Sequence, residues 1–429
     1  MNVLFFILIA LGCAVSAYRQ LTWSGTGMAP MDQLASAMVG AAGEAVTLAL
    51  GLIGIMALFL GFMKIGEAGG LLLGIARLLR PLMSRLFRDV PADHPAMGAM
   101  ILNISASLLG LGNAATPFGL RAMQELERLN RHKGTASDAM VLFLAINTSG
   151  VTILPTTVIA LRVAAGSADP AGIVLTTLVA TLAATAVAIL SAKVLAPLIP
   201  IGTASESRSE PAPLMPSAII DADMLARLTP APTWATIIAF AVLLGIVPAM
   251  LMAGNVLSTW LLPAVAVFFV GFGIVRRVRV YEVFVDGAKE GFEVAVRIIP
   301  YLVAILVAIG MVRASGAMDL LVKPLGQLTA YLGLPPEALT LAVLRSFSGS
   351  GAYGYLASLL RDPSIGPDSH LGYLVSTIQG SSETTFYVLA VYFGAVGIRR
   401  VRHALMVGII GDVAGALFSA SACGLLLAV

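Results

Sequence analysis

Apolar residues in this chain come in blocks of about 20, the length that crosses the hydrocarbon of a bilayer as a helix. Such blocks fall near residues 1–18, 44–64, 171–198, 233–253, 256–275, 293–313 and 403–427. Two more, 138–163 and 371–397, are long enough but interrupted by polar residues, the first at 147–150 and again at Pro155, the second at 379–385. Regions 95–130 and 336–360 are short apolar pieces on either side of a glycine-rich middle. A piece of about 10 residues makes about 15 Å of helix and spans nothing alone. The pattern therefore predicts two re-entrant hairpins, tolerated at membrane depth only where protein or water satisfies the backbone.

One stretch, 201–232, is polar and rich in proline and serine, and divides the chain into halves with the same order of unusual features. Each half has a long helix, an amphipathic segment, a glycine-rich hairpin, a broken helix and a last helix. Asn147-Thr148-Ser149 in one half stands opposite Gln379-Gly380-Ser381 in the other. Lysine and arginine concentrate in 64–88, 121–133, 276–297 and 399–402. Cytoplasmic loops carry such an excess. With all four inside, 44–64 runs inward and its counterpart 293–313 outward, so the halves are inverted. The expected fold is an all-α polytopic membrane protein of two inverted repeats with about nine crossings, amino terminus cytoplasmic and carboxyl terminus outside. Its expected units are 1–200, a linker with one extra helix at 201–255, and 256–429. Residues 1–18 are read as a retained helix rather than a signal peptide, because no positive charge precedes the apolar run.

Composition agrees. Of 429 residues, 58% are hydrophobic and 11% charged, against about 25% charged in soluble domains. The net charge of +3 contains no basic tract that would suggest nucleic acid. The two cysteines, Cys13 and Cys423, lie in apolar segments far apart, which gives no disulfide framework. His94, His132, His370 and His403 are scattered in polar connections, read as solvated loop residues rather than metal ligands.

The candidate chemistry lies in the breaks. The first hairpin offers Asn103, Ser105, Ser107, Asn113 and Thr116, and the second Arg345, Ser346, Ser348 and Ser350. The first broken helix offers Asn147, Thr148, Ser149 and Thr152, and the second Gln379, Ser381, Ser382, Glu383, Thr384 and Thr385. Unwound helix at membrane depth frees carbonyls for a cation and amides for an anion, and these side chains supply both donors and acceptors. Glu383 falls mid-segment, where an ionised carboxylate costs about 2.5–3.5 kcal/mol on insertion scales and must face protein or water. It either exchanges a proton or coupling cation, or pairs structurally with Arg345. Asp412, in "GIIGDVAGAL", is a second intramembrane carboxylate and a second candidate for coupling. Neither a GxSxG elbow nor a Walker A sequence occurs, which argues against hydrolysis and ATP-driven pumping.

The motifs "GLIGIMALFLGFMKIGEAGGL" (51–71), "DHPAMGAMILNISASLLGLGNAATPFGLRAM" (93–123) and "AINTSGVTILPT" (145–156) resemble bacterial spore maturation protein A. "VYEVFVDGAKEGFEVAVRIIPYLVAILVAIGMVRASGAMDLL" (280–321), "RSFSGSGAYG" (345–354) and "STIQGSSETTFYVLAVYFGAVGIRR" (376–400) resemble spore maturation protein B. The chain looks like the two fused, and the resemblance implies a nucleoside-recognition "gate" module in a bacterial inner membrane. It implies no particular cargo. The leading expectation is a secondary transporter or exporter of a polar or amphiphilic small solute, coupled to H⁺ or Na⁺ and needing no cofactor. The alternative is a non-transporting scaffold or lipid-binding protein in envelope maturation. Expected partners are the solute and the bilayer, with self-association into a homo-oligomer left open.

Overall fold

The computed structural model describes residues 2–199 (except 26 and 111), 232, 234, 260, 262–317 and 329–426. The linker at 201–231 and the extra helix expected at 233–253 lie outside these residues. So does most of the amphipathic segment expected before the second hairpin.

Helix α1 covers Asn2–Leu21 and α2 Pro30–Ala68. At 39 residues α2 far outruns the predicted 44–64, because its first turns carry polar residues that an apolar window discards. Gly69 and Gly70 end it, Gly70 at φ +83°, and the chain bends by 68° into α3, Leu71–Leu86. The apolar stripe of α3, Leu72, Ala76, Leu79 and Met83, is buried, as a repeat of three to four residues requires. The helix of the second half matching α2 is also longer than expected. After α9 (Leu262–Val275), α10 runs over Val280–Ala314. It packs antiparallel to α2. Cβ atoms at Gly291, Gly287 and Gly310 would meet Ala57, Leu60 and Ala41 in turn, and at Gly291 and Gly287 only glycine permits the backbone approach.

The hairpins are pairs of short packed helices, α4 (Pro95–Leu108) with α5 (Gly112–Leu129), and α11 (Pro336–Phe347) with α12 (Gly349–Arg361). Gly110, at φ +76°, reverses the chain in the first. In the second a single extended residue, Ser348, separates the helices.

Both expected broken helices are broken. The first consists of α6 (Asp138–Thr148) and α7 (Thr156–Ala164), the second of α13 (His370–Ser381) and α14 (Thr385–Gly394). The closing helices are α8 (Ile173–Leu195) and α15 (Ala404–Leu426), which pack together. They run antiparallel. Arg402, just before α15, donates to carbonyls of Ala196 and Ile199 beyond the end of α8, while Thr176 near the start of α8 and Cys423 near the end of α15 both meet Thr377. α6 packs on both α8 and α15, and so does α13, so each broken helix touches the last helix of both halves.

Among the described residues only α8 and α15 are long and apolar enough to cross a membrane unaided, or three spans if the bent α2–α3 pair counts as one. Among the described residues, the crossings expected at 138–163 and 371–397 are composites of short halves, and those expected at 44–64 and 293–313 carry polar extensions.

Candidate functional site

The two breaks meet. The amide of Glu383 donates to the carbonyl of Thr148 at 2.8 Å, joining the ends of α6 and α13. Thr148 and Ser149 turn their hydroxyls back on the Ala145 carbonyl at 3.1 and 2.7 Å, which competes with helical bonding and suits a helix that stops there. Helix α8 supplies what the first break lacks. Thr185 donates to the Ser149 carbonyl, and the amide of Thr152 faces the Thr181 hydroxyl at 3.5 Å. These threonines escaped the sequence reading, although Thr177, Thr181 and Thr185 form a hydroxyl stripe at four-residue spacing. On the other side α15 presents glycines. Gly408 abuts Thr385, Gly411 abuts Ser149 and Gly415 abuts Ser381.

Arg345 organises the second break. It sits in the last turn of α11 and is buried. Its guanidinium donates to the Thr384 hydroxyl at 3.0 Å and to the Ser382 carbonyl, and reaches Glu383 Oε2 at 3.3 Å. The pair is lopsided, since the Arg345 side chain is 9% exposed and that of Glu383 59%. The carboxylate therefore points into the open and is held by one long contact. Ser348 caps α12 by accepting from the Gly351 amide at 3.0 Å, with the Ser350 hydroxyl 3.5 Å away. Ser346 donates to the Ala342 carbonyl at 3.4 Å. Asp412 neighbours Arg345, Ser346 and Thr385. Its carboxylate oxygens, like Gln379 Oε1, are buried without a well-aligned partner.

The first hairpin joins through a residue that the sequence concealed. Asn103 donates to the Ala115 carbonyl at 2.8 Å and to Tyr392 Oη at 3.2 Å, and Tyr392 faces Asn147 Oδ1 at 3.4 Å. Tyr392 also stacks on Phe143 at 6.1 Å. It lies in an apolar run where its hydroxyl gave no signal. Thr116 and Ser107 are half-buried on the same hairpin, whereas Ser105 spends its hydroxyl on the Ile101 carbonyl at 2.7 Å. The Asn113 side chain lies outside the described residues.

Two arginines close the outer ends of the broken helices. Arg162, at the end of α7, is fully buried. It donates to the carbonyls of Pro367 at 2.6 Å and Asp169 at 3.0 Å, reaches Asp368 at 3.1 Å, and lies 4.2 Å over the ring of Tyr373. Burial works against the Asp368 carboxylate, but the Ser167 hydroxyl, the Ala168 amide and Arg162 together hold it below its ordinary pKa. Arg402, beyond α14, does the same at the start of α6, reaching Asp138 at 2.5 Å and the Ile199 carbonyl at 2.6 Å. In each case the outgoing half of one broken helix is tied to the start of the other. Neither arginine stood out from ordinary basic residues at helix ends. Of the four histidines, His370 is exposed and His94 and His132 lie part-exposed in connections, as expected, whereas His403 departs from this. His403 is buried beside the Arg402 clasp, and His94 caps α4 by accepting from the Ala96 amide at 3.1 Å.

Residues 49–165 and 295–399 match a protein family, Gate, described as nucleoside recognition. Spore maturation protein A of Bacillus subtilis strain 168 is 46% identical over 152 residues, 35% of this chain and 78% of that protein. Spore maturation protein B of the same strain is 44% identical over 165 residues, 38% of this chain and 92% of that protein. Inner membrane protein YjiG of Escherichia coli strain K12 is 34% identical over 84 residues, 19% of this chain and 55% of that protein. A solved structure of CNTnw in an outward-facing state aligns over 98% of this chain and 91% of its own, at TM-score 0.47 and 13% identity.

Proposed function

The chain belongs to the nucleoside-recognition Gate family, and on that premise we propose that it is a secondary transporter or exporter of a polar or amphiphilic small solute. The solute binds where the two breaks meet, between the hairpins, and its movement is coupled to H⁺ or Na⁺. The observation that carries this reading is the state of Glu383, a charge at the meeting point that is open to the outside and tied by a single 3.3 Å contact. A purely structural pair would be sealed, because a half-paired carboxylate in hydrocarbon is costly. Arg345 anchors an anionic group or Glu383 itself. Asn103, Asn147, Gln379 and the neighbouring hydroxyls complete the hydrogen bonding.

The antiparallel packing of α2 on α10 and of α8 on α15, with the reciprocal arginine clasps, supports two inverted repeats. Each broken helix then crosses the membrane in two halves that meet at the midplane, where solutes bind in such folds. The basic segments come together in pairs. Lys64 bonds Glu290 at 2.8 Å, and the Arg399 amide meets the Gly134 carbonyl at 2.9 Å. Placing both groups inside a bacterial inner membrane puts the amino terminus in the cytoplasm and the carboxyl terminus outside.

The test is current across proteoliposomes holding the full chain, challenged with a panel of nucleosides, amino acids and organic anions at two pH values and two Na⁺ concentrations. At least one solute is expected to drive current that Glu383→Gln abolishes while the variant stays folded. Unchanged coupled movement in Glu383→Gln, or silence across the panel with lipid retained on the purified protein, favours the scaffold or lipid-binding role instead.

A further inference from the structure

Orphan donors and acceptors share one corner of the site. Arg345 Nε is buried without a well-aligned acceptor, and both Asp412 oxygens are buried without a well-aligned donor, although the Ser346 and Thr385 hydroxyls lie beside them. The far side of the same guanidinium meanwhile reaches Glu383 at 3.3 Å. Arg345 is near enough to Asp412 to act on its carboxyl electrostatically, and the helices that carry them pack together. An ionised carboxylate left in that position is more costly than a neutral carboxylic acid, because poorly aligned hydroxyls compensate a full buried charge only in part.

We propose that Asp412 is a proton-binding site, protonated in this conformation, and that Arg345 is shared between the exposed Glu383 and the buried Asp412. The charges then balance, with Arg345 positive, Glu383 negative and Asp412 neutral. When the Asp412 O–H bond breaks, the proton leaves to water on the open side at Glu383 and the guanidinium turns to the new carboxylate. Glu383 is thereby released to take a cationic group. Proton binding at Asp412 and the state of the solute-facing Glu383 become two readings of one arginine position.

Few other charges face this place. α11 brings Arg345, the second break brings Glu383, and α14 carries Tyr387 and Tyr392. α6, α8 and α13 meet this part of α15 with Ser149, Ala184, Ala188 and Ser381, and α11 and α14 with Ser346 and Thr385, none of which titrates.

The inference deepens the transporter reading by naming the proton as the coupling ion, yet its test needs no solute. The full chain in lipid nanodiscs is titrated with pH in Na⁺-free buffer and followed by infrared difference spectroscopy. A carboxylic-acid C=O band is expected that Asp412→Asn removes and Glu383→Gln keeps. In Glu383→Gln its midpoint should fall by about one pH unit, a tenfold weaker proton affinity, since Arg345 is then free to pair with ionised Asp412. If Asp412→Asn does not fold, Asp412→Glu should keep a band at a shifted frequency. A band that survives Asp412→Asn, or a midpoint unmoved by Glu383→Gln, overturns the proposal. Loss of the band on adding Na⁺ at fixed pH overturns it in favour of a cation site. A titrating Asp412 in a protein that moves no solute would sink the transporter reading alone, and a transporter without the band would sink the proton site alone.

Discussion

Arg162→Ala should be the most damaging single truncation outside the two breaks. The arginine is fully buried, and its removal strands two carbonyls that it now reaches at 2.6 and 3.0 Å. Each stranded buried acceptor costs about 1 kcal/mol at the low end, the end suited to carbonyls that are only partly buried. The stacked contact with Tyr373, 4.2 Å from ring centroid to guanidinium carbon, contributes about 1 kcal/mol. The ion pair adds less than its distance suggests. Asp368 is 38% exposed, and water that reaches one partner leaves such a pair at most about 1 kcal/mol. The expected loss is about 3–4 kcal/mol for Arg162→Ala and about 1 kcal/mol or less for Asp368→Asn. Arg162→Lys should recover only a minor part, since an ammonium cannot reproduce a planar fork aimed at several acceptors. Equilibrium unfolding in mixed micelles, followed by circular dichroism, measures all three. If Asp368→Asn costs as much as Arg162→Ala, the clasp is an ion pair and not a carbonyl-binding fork, and the reasoning fails.

Two further predictions rest on packing and titration. A Cβ on Gly408 would stand 2.5 Å from Thr385 Cγ2, so Gly408→Val should destabilise by about 1–3 kcal/mol, whereas Gly394→Ala, with open space around it, should not register in the same unfolding assay. Burial first, and then the charge of Arg402, hold the His403 imidazole below its ordinary pKa, against the opposing pull of Asp138 and the Ala192 carbonyl. The unfolded chain therefore binds the extra proton once pH drops through about 6.5, and stability should decline below that point. His403→Leu should flatten the slope, and an identical pH profile in that variant would remove His403 as its cause.

The breaks were legible because unwound backbone in hydrocarbon demands polar company, and the runs at Asn147 and Gln379 advertise it. Glu383 and Arg345 stood out for the same reason, as charges where none is expected. What stayed hidden was defined by contact and not by composition. Arg162 reads as an ordinary basic residue at a helix end, and only the fold brings Pro367 and Tyr373 to it. Tyr392 lies in an apolar run, and its hydroxyl matters only because Asn103 and Asn147 converge there. The true lengths of α2 and α10 were missed since glycine-mediated packing of two helices stabilises turns too polar to span a membrane.

A solute site where the two broken helices meet requires Glu383 to stand in water and not in lipid. In a background of Cys13→Ser and Cys423→Ser, Glu383→Cys in reconstituted vesicles should react with a membrane-impermeant thiol reagent at a rate within about tenfold of an exposed loop cysteine, the spread that 1.4 kcal/mol of hindrance allows. Thr377→Cys, placed at a fully buried position, should stay silent. A position 383 as unreactive as 377 would put the carboxylate against hydrocarbon or protein and contradict a solute site there.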